Sequence, residues 1–155
     1  MAGLVYSVDS SALIRAHRRI YRPKNFGFVW KGFDKLISEG RFKASIEVYT
    51  ELQKKDDEVF EWAKERKEAM FVEIDEPTQT VVSQIMAAHP RLVDTTKGRS
   101  GADPFVIALA KTVTPQMMVV TEEYPGKERI PDVCEAQNVD HCGVADLVEK
   151  EGWTS

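Results

Sequence analysis

Asp9, Glu47, Glu51, Asp103, Glu122 and Glu123 are the side chains of this sequence that could do chemistry together. Asp9 directly follows the apolar run Leu4-Val5-Tyr6-Ser7-Val8. Glu47 and Glu51 follow Phe42–Ile46, Glu122 and Glu123 follow Met117–Thr121, and Asp103 opens an apolar helical pattern. Hard divalent cations take oxygen ligands, and Mg²⁺ is commonly held by one or two carboxylates with several waters. Two such ions roughly 3.5–4 Å apart can clamp the attacking and leaving oxygens of a phosphodiester. An acidic pocket repels phosphate, so bound cations are a physical requirement of this reading. Each acid also has a structural role open to it. Asp9 and Asp103 sit where helix N-caps belong, and Glu51 can pair with Lys55 at i, i+4. Asp132 beside Pro131 suits the first turn of a helix.

A substrate of phosphates also needs cations. Arg15, Arg18, Arg19, Arg22 and Lys24 form a basic run without an acid, just downstream of Asp9. Such a patch can hold a polyanion on a domain of formal net charge −4, although a solvated helix end accounts for it equally well. Lys97 and Arg99, in the polar stretch before Asp103, are further candidates for substrate phosphates, and the Thr121 hydroxyl for a water or a phosphate. Lys97-Gly98-Arg99-Ser100-Gly101 lacks the spacing of a phosphate loop.

The elements that would position these groups alternate. Leu4–Val8 reads as a buried strand, with a helix from the Asp9-Ser10-Ser11 cap to about Arg19. Phe28, Val29, Phe33, Leu36 and Ile37 have helical spacing, with Gly40 as the stop. A strand over Phe42–Ile46 leads into a helix from about Glu47, and Asp56–Ala69 reads as one charged helix. Met70–Ile74 suits an edge strand, and Pro77–Ala88 a helix. A polar loop over 91–101 precedes a helix over Phe105–Lys111 and a strand over Met117–Thr121. A helix over Ile130–Gln137, a short strand over Val139–Cys142 and a helix over Val144–Lys150 close the chain. Alternation of this kind predicts a single α/β domain over residues 1–155, with a mostly parallel sheet covered on both faces. Ligands of such sheets sit outside the carboxyl ends of the strands, where the acids lie.

The 155 residues carry no apolar stretch of membrane-span length, and the N-terminus lacks the pattern of a secretory signal. Cys134 and Cys142 are read as reduced thiols and not as a zinc half-site, so a cytoplasmic location without membrane partners is expected. His17, His89 and His141 lie in separate segments and are not read as ligands. Trp30, Trp62 and Trp153 are read as core or cover.

Four segments resemble the motifs of PIN domains, in the family's order. Val8-Asp9-Ser10-Ser11-Ala12-Leu13 is similar to the first, an apolar strand ending in Asp, then Ser or Thr. Ile46-Glu47-Val48-Tyr49-Thr50-Glu51-Leu52 resembles the second, whose Glu matches Glu51. Asp103-Pro104-Phe105-Val106-Ile107-Ala108-Leu109-Ala110 resembles the third. Val119-Val120-Thr121-Glu122-Glu123 resembles the fourth, with Glu123 where the family has Asp. The tail Lys127–Cys134 resembles a less-characterised bacterial PIN-like subfamily. The resemblance implies a three-layer α/β/α domain and a ribonuclease in which Asp9, Glu51, Asp103 and Glu123 bind Mg²⁺ or Mn²⁺ and cut RNA. It further implies a toxin with a partner antitoxin, and dimerisation. Two rivals stand beside it. Aspartyl phosphotransferases begin similarly, but they want a second Asp where Ser11 stands. A catalytically inactive PIN-like module would bind RNA or a protein partner and keep the acids as remnants.

Overall fold

The computed structural model describes residues 3–93, 101–113, 115–126 and 128–155. Lys97 and Arg99 lie outside the described residues. Five strands form one sheet in the order β3-β2-β1-β4-β5, where β1 is Tyr6–Val8, β2 Phe42–Ser45, β3 Phe71–Val72, β4 Met118–Val120 and β5 His141–Cys142. Every pairing is parallel. The helices are α1 (Ser10–Arg15), α2 (Gly27–Ser38), α3 (Ile46–Lys55), α4 (Asp57–Lys64), α5 (Lys67–Met70), α6 (Glu76–Ala88), α7 (Asp103–Thr112), α8 (Ile130–Ala136) and α9 (Val144–Glu151). No helix is long and apolar enough to cross a membrane among the described residues.

The central strand β1 is buried on both faces. Tyr6, Ser7 and Val8 are each buried, and period-2 alternation sends them to opposite layers. Ser7 faces α7 and donates its hydroxyl to the Val106 carbonyl at 2.8 Å. On the other face Tyr6 reaches Glu151 of α9 at 2.6 Å, and Val8 packs with Leu13, Phe33, Phe42 and Leu147. This is the expected α/β/α arrangement.

Some elements depart from expectation. The first helix does not run as α-helix to Arg19; it passes into a π-helical turn over Ala16–Ile20, a form that concentrates at functional sites. The charged stretch 56–69 is two helices, broken at Glu65–Arg66. There Arg66 pairs with Asp34 through Nε at 2.6 Å and lies over the Trp62 ring. The stop at Gly40 holds, with φ +73°.

Gly32 of α2 supports the Trp153 indole, and a Cβ there would lie 2.6 to 2.7 Å from its ring carbons. Gly32→Ala gains roughly 1 kcal/mol in helix propensity but must displace a ring that also packs edge-on against Phe33. Overpacking costs about 1–3 kcal/mol, so the expected net result is a lower melting temperature. A higher one would mean that the indole is not seated on α2.

Candidate active site

The strand order places β2 and β4 on either side of β1, with the connections leaving in opposite directions. That switch point opens a crevice at the carboxyl ends of β1 and β4. Asp9 stands at its base. Its N–H extends the ladder to the Val120 carbonyl at 2.9 Å. Its side chain does not cap α1. Instead Oδ2 accepts the hydroxyls of Ser11 at 2.5 Å and Thr121 at 3.0 Å. Each hydroxyl also accepts a backbone N–H from the β4 exit, Glu122 to Ser11 and Glu123 to Thr121, both at 3.1 Å. The two strand exits are thus tied together around one carboxylate. Thr121 is buried and spends its hydroxyl on Asp9, so it orients the acid where the sequence suggested a substrate contact.

Glu51 lies on α3, whose start is fixed by the Ser45 hydroxyl accepting the Glu47 N–H at 3.2 Å. Its Oε1 accepts the Ser10 hydroxyl and pairs with Lys55 Nζ at 3.3 Å. Asp103 arrives because α7 runs back against the strands into β4, which sets its first residue at the carboxyl edge. It is the first helical residue, and the cap position belongs to Ala102; the N-cap expected at Asp103 is therefore corrected. Asp9, Asp103 and Glu51 are 1%, 3% and 9% exposed, burial that ordinary surface acids do not show.

These acids and Glu123 line one cavity of about 430 Å³, together with Ser10, Ser11, Ile14, Arg15, Arg18, Arg19, Lys55, Glu122 and Arg129. Crowding sets their electrostatics. Burial, then the charges of Glu123 and Glu51, push the Asp9 carboxyl up to about 7, against the pull of the Ser11 and Thr121 hydroxyls. Burial, then Asp9, Glu123 and Glu51, push Asp103 up to about 9, with Lys55 opposing. Burial raises Glu123 as well, and the Ile130 backbone and Arg129 oppose that rise. The mutual effects are those of carboxylates sharing one low-dielectric space. As the side chains stand, no three His, Cys, Asp or Glu residues form a closed ligand set among the described residues; Asp9 and Glu51 are turned to hydroxyl and ammonium partners. The donor chemistry nevertheless fits a hard divalent cation. It is all oxygen, and a bound cation would offset the burial and mutual repulsion that raise Asp9 and Asp103.

The rim is basic. Arg15 Nε lies 3.6 Å from Glu122, and Arg18 Nε 2.6 Å from Asp56. Arg19 also faces the cavity, whereas Arg22 turns back to the Arg18 carbonyl at 2.9 Å and does not line it. Among the alternative acids, Glu122 lines the cavity but accepts the Val144 N–H at 2.8 Å, and Glu47 does not line it. Asp132 is structural, accepting the Gly126 and Arg129 N–H groups at 2.6 and 3.1 Å. Cys134 and Cys142 are free thiols, raised by burial to about 12 and about 11, so neither is a nucleophile at neutral pH.

Sequence reasoning did not place Ser10, Ser11 or Arg129 in the site, and it treated Lys55 only as a partner of Glu51. The one available signal was proximity in sequence to Asp9 and Glu51. Nothing local marks Arg129, which is carried in by the loop after β4.

Residues 6–155 match the family described as Domain of unknown function (DUF4411). No curated protein matches the chain.

Proposed function

The chain belongs to the DUF4411 family, and from that premise and the cavity's geometry we propose that it is a metal-dependent endoribonuclease. One observation carries the reading. Acids from four separate segments line a single basic-rimmed cavity at the switch point of a parallel sheet. Asp9, Glu51, Asp103 and Glu123 would hold Mg²⁺ or Mn²⁺. When bound, such an ion supplies a Lewis acid for the phosphodiester and lowers the pKa of water.

The chain's own residues do the rest. Ser11 and Thr121 hold Asp9 in one orientation through Oδ2. Ser10 and Lys55 do the same for Glu51. Arg15, Arg18, Arg19 and Arg129 surround the acids and supply positive charge for the RNA backbone. The buried walls lower the effective dielectric, which strengthens each of these interactions. The toxin role, the antitoxin partner, dimerisation and a cytoplasmic location belong to the same proposal, on the PIN resemblance of the motifs around Asp9, Glu51, Asp103 and Glu123.

The alternative is a catalytically inactive module binding RNA or protein. It is favoured by Glu123, which stands where the resemblance calls for Asp. Titration with Mn²⁺ followed by electron paramagnetic resonance separates the two. The nuclease reading expects saturable binding that Asp9→Asn and Asp103→Asn each weaken. Mn²⁺ that stays free over wild-type protein would favour the inactive module.

A further inference from the structure

Asp56 lies outside the cavity, at the junction of α3 and α4, yet it is the ion-pair partner of a cavity residue. Its Oδ1 caps α4 by accepting the Val59 N–H at 3.1 Å. Its Oδ2 is buried without an aligned hydrogen bond. The compensation for that oxygen is the charge of Arg18, whose Nε lies 2.6 Å away. The Asp56 side chain is 4% exposed and that of Arg18 is 58% exposed. One end of the pair is therefore anchored in the protein and the other opens on the cavity.

Arg18 is carried by the π-helical turn Ala16–Ile20. Its contact with Asp56 at 2.6 Å is made by Nε. Neither Nη group makes a hydrogen bond among the described residues, and Arg18 lines the cavity that holds the acids. An arginine held at Nε retains its planar fork, the part suited to phosphate oxygens.

We propose that Asp56 is a positioning residue for substrate. It fixes the Arg18 guanidinium at the cavity mouth so that the Nη groups meet a backbone phosphate of the bound RNA. This rests on the nuclease reading and deepens it.

The two effects of removing the Asp56 charge have opposite signs. Asp56→Asn keeps the N-cap, because Asn caps as well as Asp, and it deletes a negative charge near the substrate. Electrostatics alone would tighten RNA binding or leave it unchanged. Loss of positioning weakens it.

The test uses a labelled single-stranded RNA, with binding read by anisotropy over a salt series and Ca²⁺ in place of Mn²⁺ to slow cleavage. Michaelis parameters are measured in Mn²⁺, and melting curves report folding. Asp56→Asn should bind roughly tenfold more weakly, the worth of one charge-assisted contact. The slope of log affinity against log salt should flatten by about 0.7, the value for one phosphate of a single strand. KM should rise while kcat stays within about twofold. Arg18→Ala should match it, the double variant should be no worse than either, and Arg18→Lys should not restore full affinity. Unchanged or tighter binding by Asp56→Asn, with Arg18→Ala weakened, would overturn the positioning role and leave the nuclease reading standing. Unchanged binding by Arg18→Ala would also overturn it. Wild-type protein that neither binds nor cuts RNA would overturn both.

Discussion

Asp9→Asn should abolish the proposed metal-dependent RNA cleavage while leaving the protein folded. Asp9 makes no cap bond to α1, so the change removes no helix-capping interaction. Asn keeps an oxygen that can still accept the Ser11 and Thr121 hydroxyls. What disappears is one negative charge at the most enclosed point of the acidic cluster. A cation in such a site supplies several kcal/mol of transition-state stabilisation, and each 1.36 kcal/mol is tenfold in rate. A loss on the order of a thousandfold is therefore expected. Glu123→Gln should cost less, because the Glu123 carboxyl is less enclosed and stands beside Arg129. Single-turnover cleavage of one labelled RNA by each variant, with circular dichroism as the folding control, checks both statements. Cleavage at the wild-type rate by Asp9→Asn would remove Asp9 from the chemistry.

In chelator the wild-type protein should lose stability as pH rises from about 4 to about 9, and Asp103→Asn should remove most of that loss. The unfolded chain releases the Asp103 proton near the ordinary carboxyl value of 3.8, whereas the folded chain holds it to about 9. Asp9 adds the same effect up to about 7. Between those limits the native state binds more protons than the unfolded state, so stability falls with rising pH. Asn carries no proton to lose and no charge to crowd its neighbours. The variant should melt several degrees above wild type at pH 8 and close to it at pH 4. Saturating Mn²⁺ should reverse the order at pH 8, because a ligand that binds only the native state raises its stability. Thermal melts over a pH series, with and without Mn²⁺, measure both. A wild-type melting temperature that is flat over this range would mean that the acids do not crowd one another.

The parts of the fold and site visible in the sequence were those encoded by neighbours along the chain. The Tyr6-Ser7-Val8 run and the acid behind it mark a buried strand and its exit, and Pro104 marks the start of α7. Once β1 and β4 are adjacent and α7 runs back across one face of them, Asp9, Asp103 and Glu123 meet at one edge. The functions of the acids were less legible. Asp9 and Asp103 both carried strong capping signals; Asp9 does stand at the N-cap of α1 but its carboxylate is taken by the Ser11 and Thr121 hydroxyls, and Asp103 lies one residue inside α7, buried in the cavity. The break at Glu65–Arg66 contains no Gly or Pro. It coincides with the Arg66 contacts to Asp34 and Trp62, which no local pattern encodes. The pairing of Arg18 with Asp56 is tertiary in the same sense. It makes one arginine of a basic run different from its neighbours, although by charge and spacing the run looks uniform.

On the proposed function these acids bind a divalent cation in order to cut RNA. The most direct measurement incubates highly purified wild-type protein with an end-labelled single-stranded RNA in Mn²⁺, in Mg²⁺ and in chelator, beside Asp103→Asn purified identically. Internal cleavage in the presence of cation, absent in chelator and absent from Asp103→Asn, is the predicted result. Intact RNA in every lane, or equal cleavage by wild type and Asp103→Asn, would contradict it.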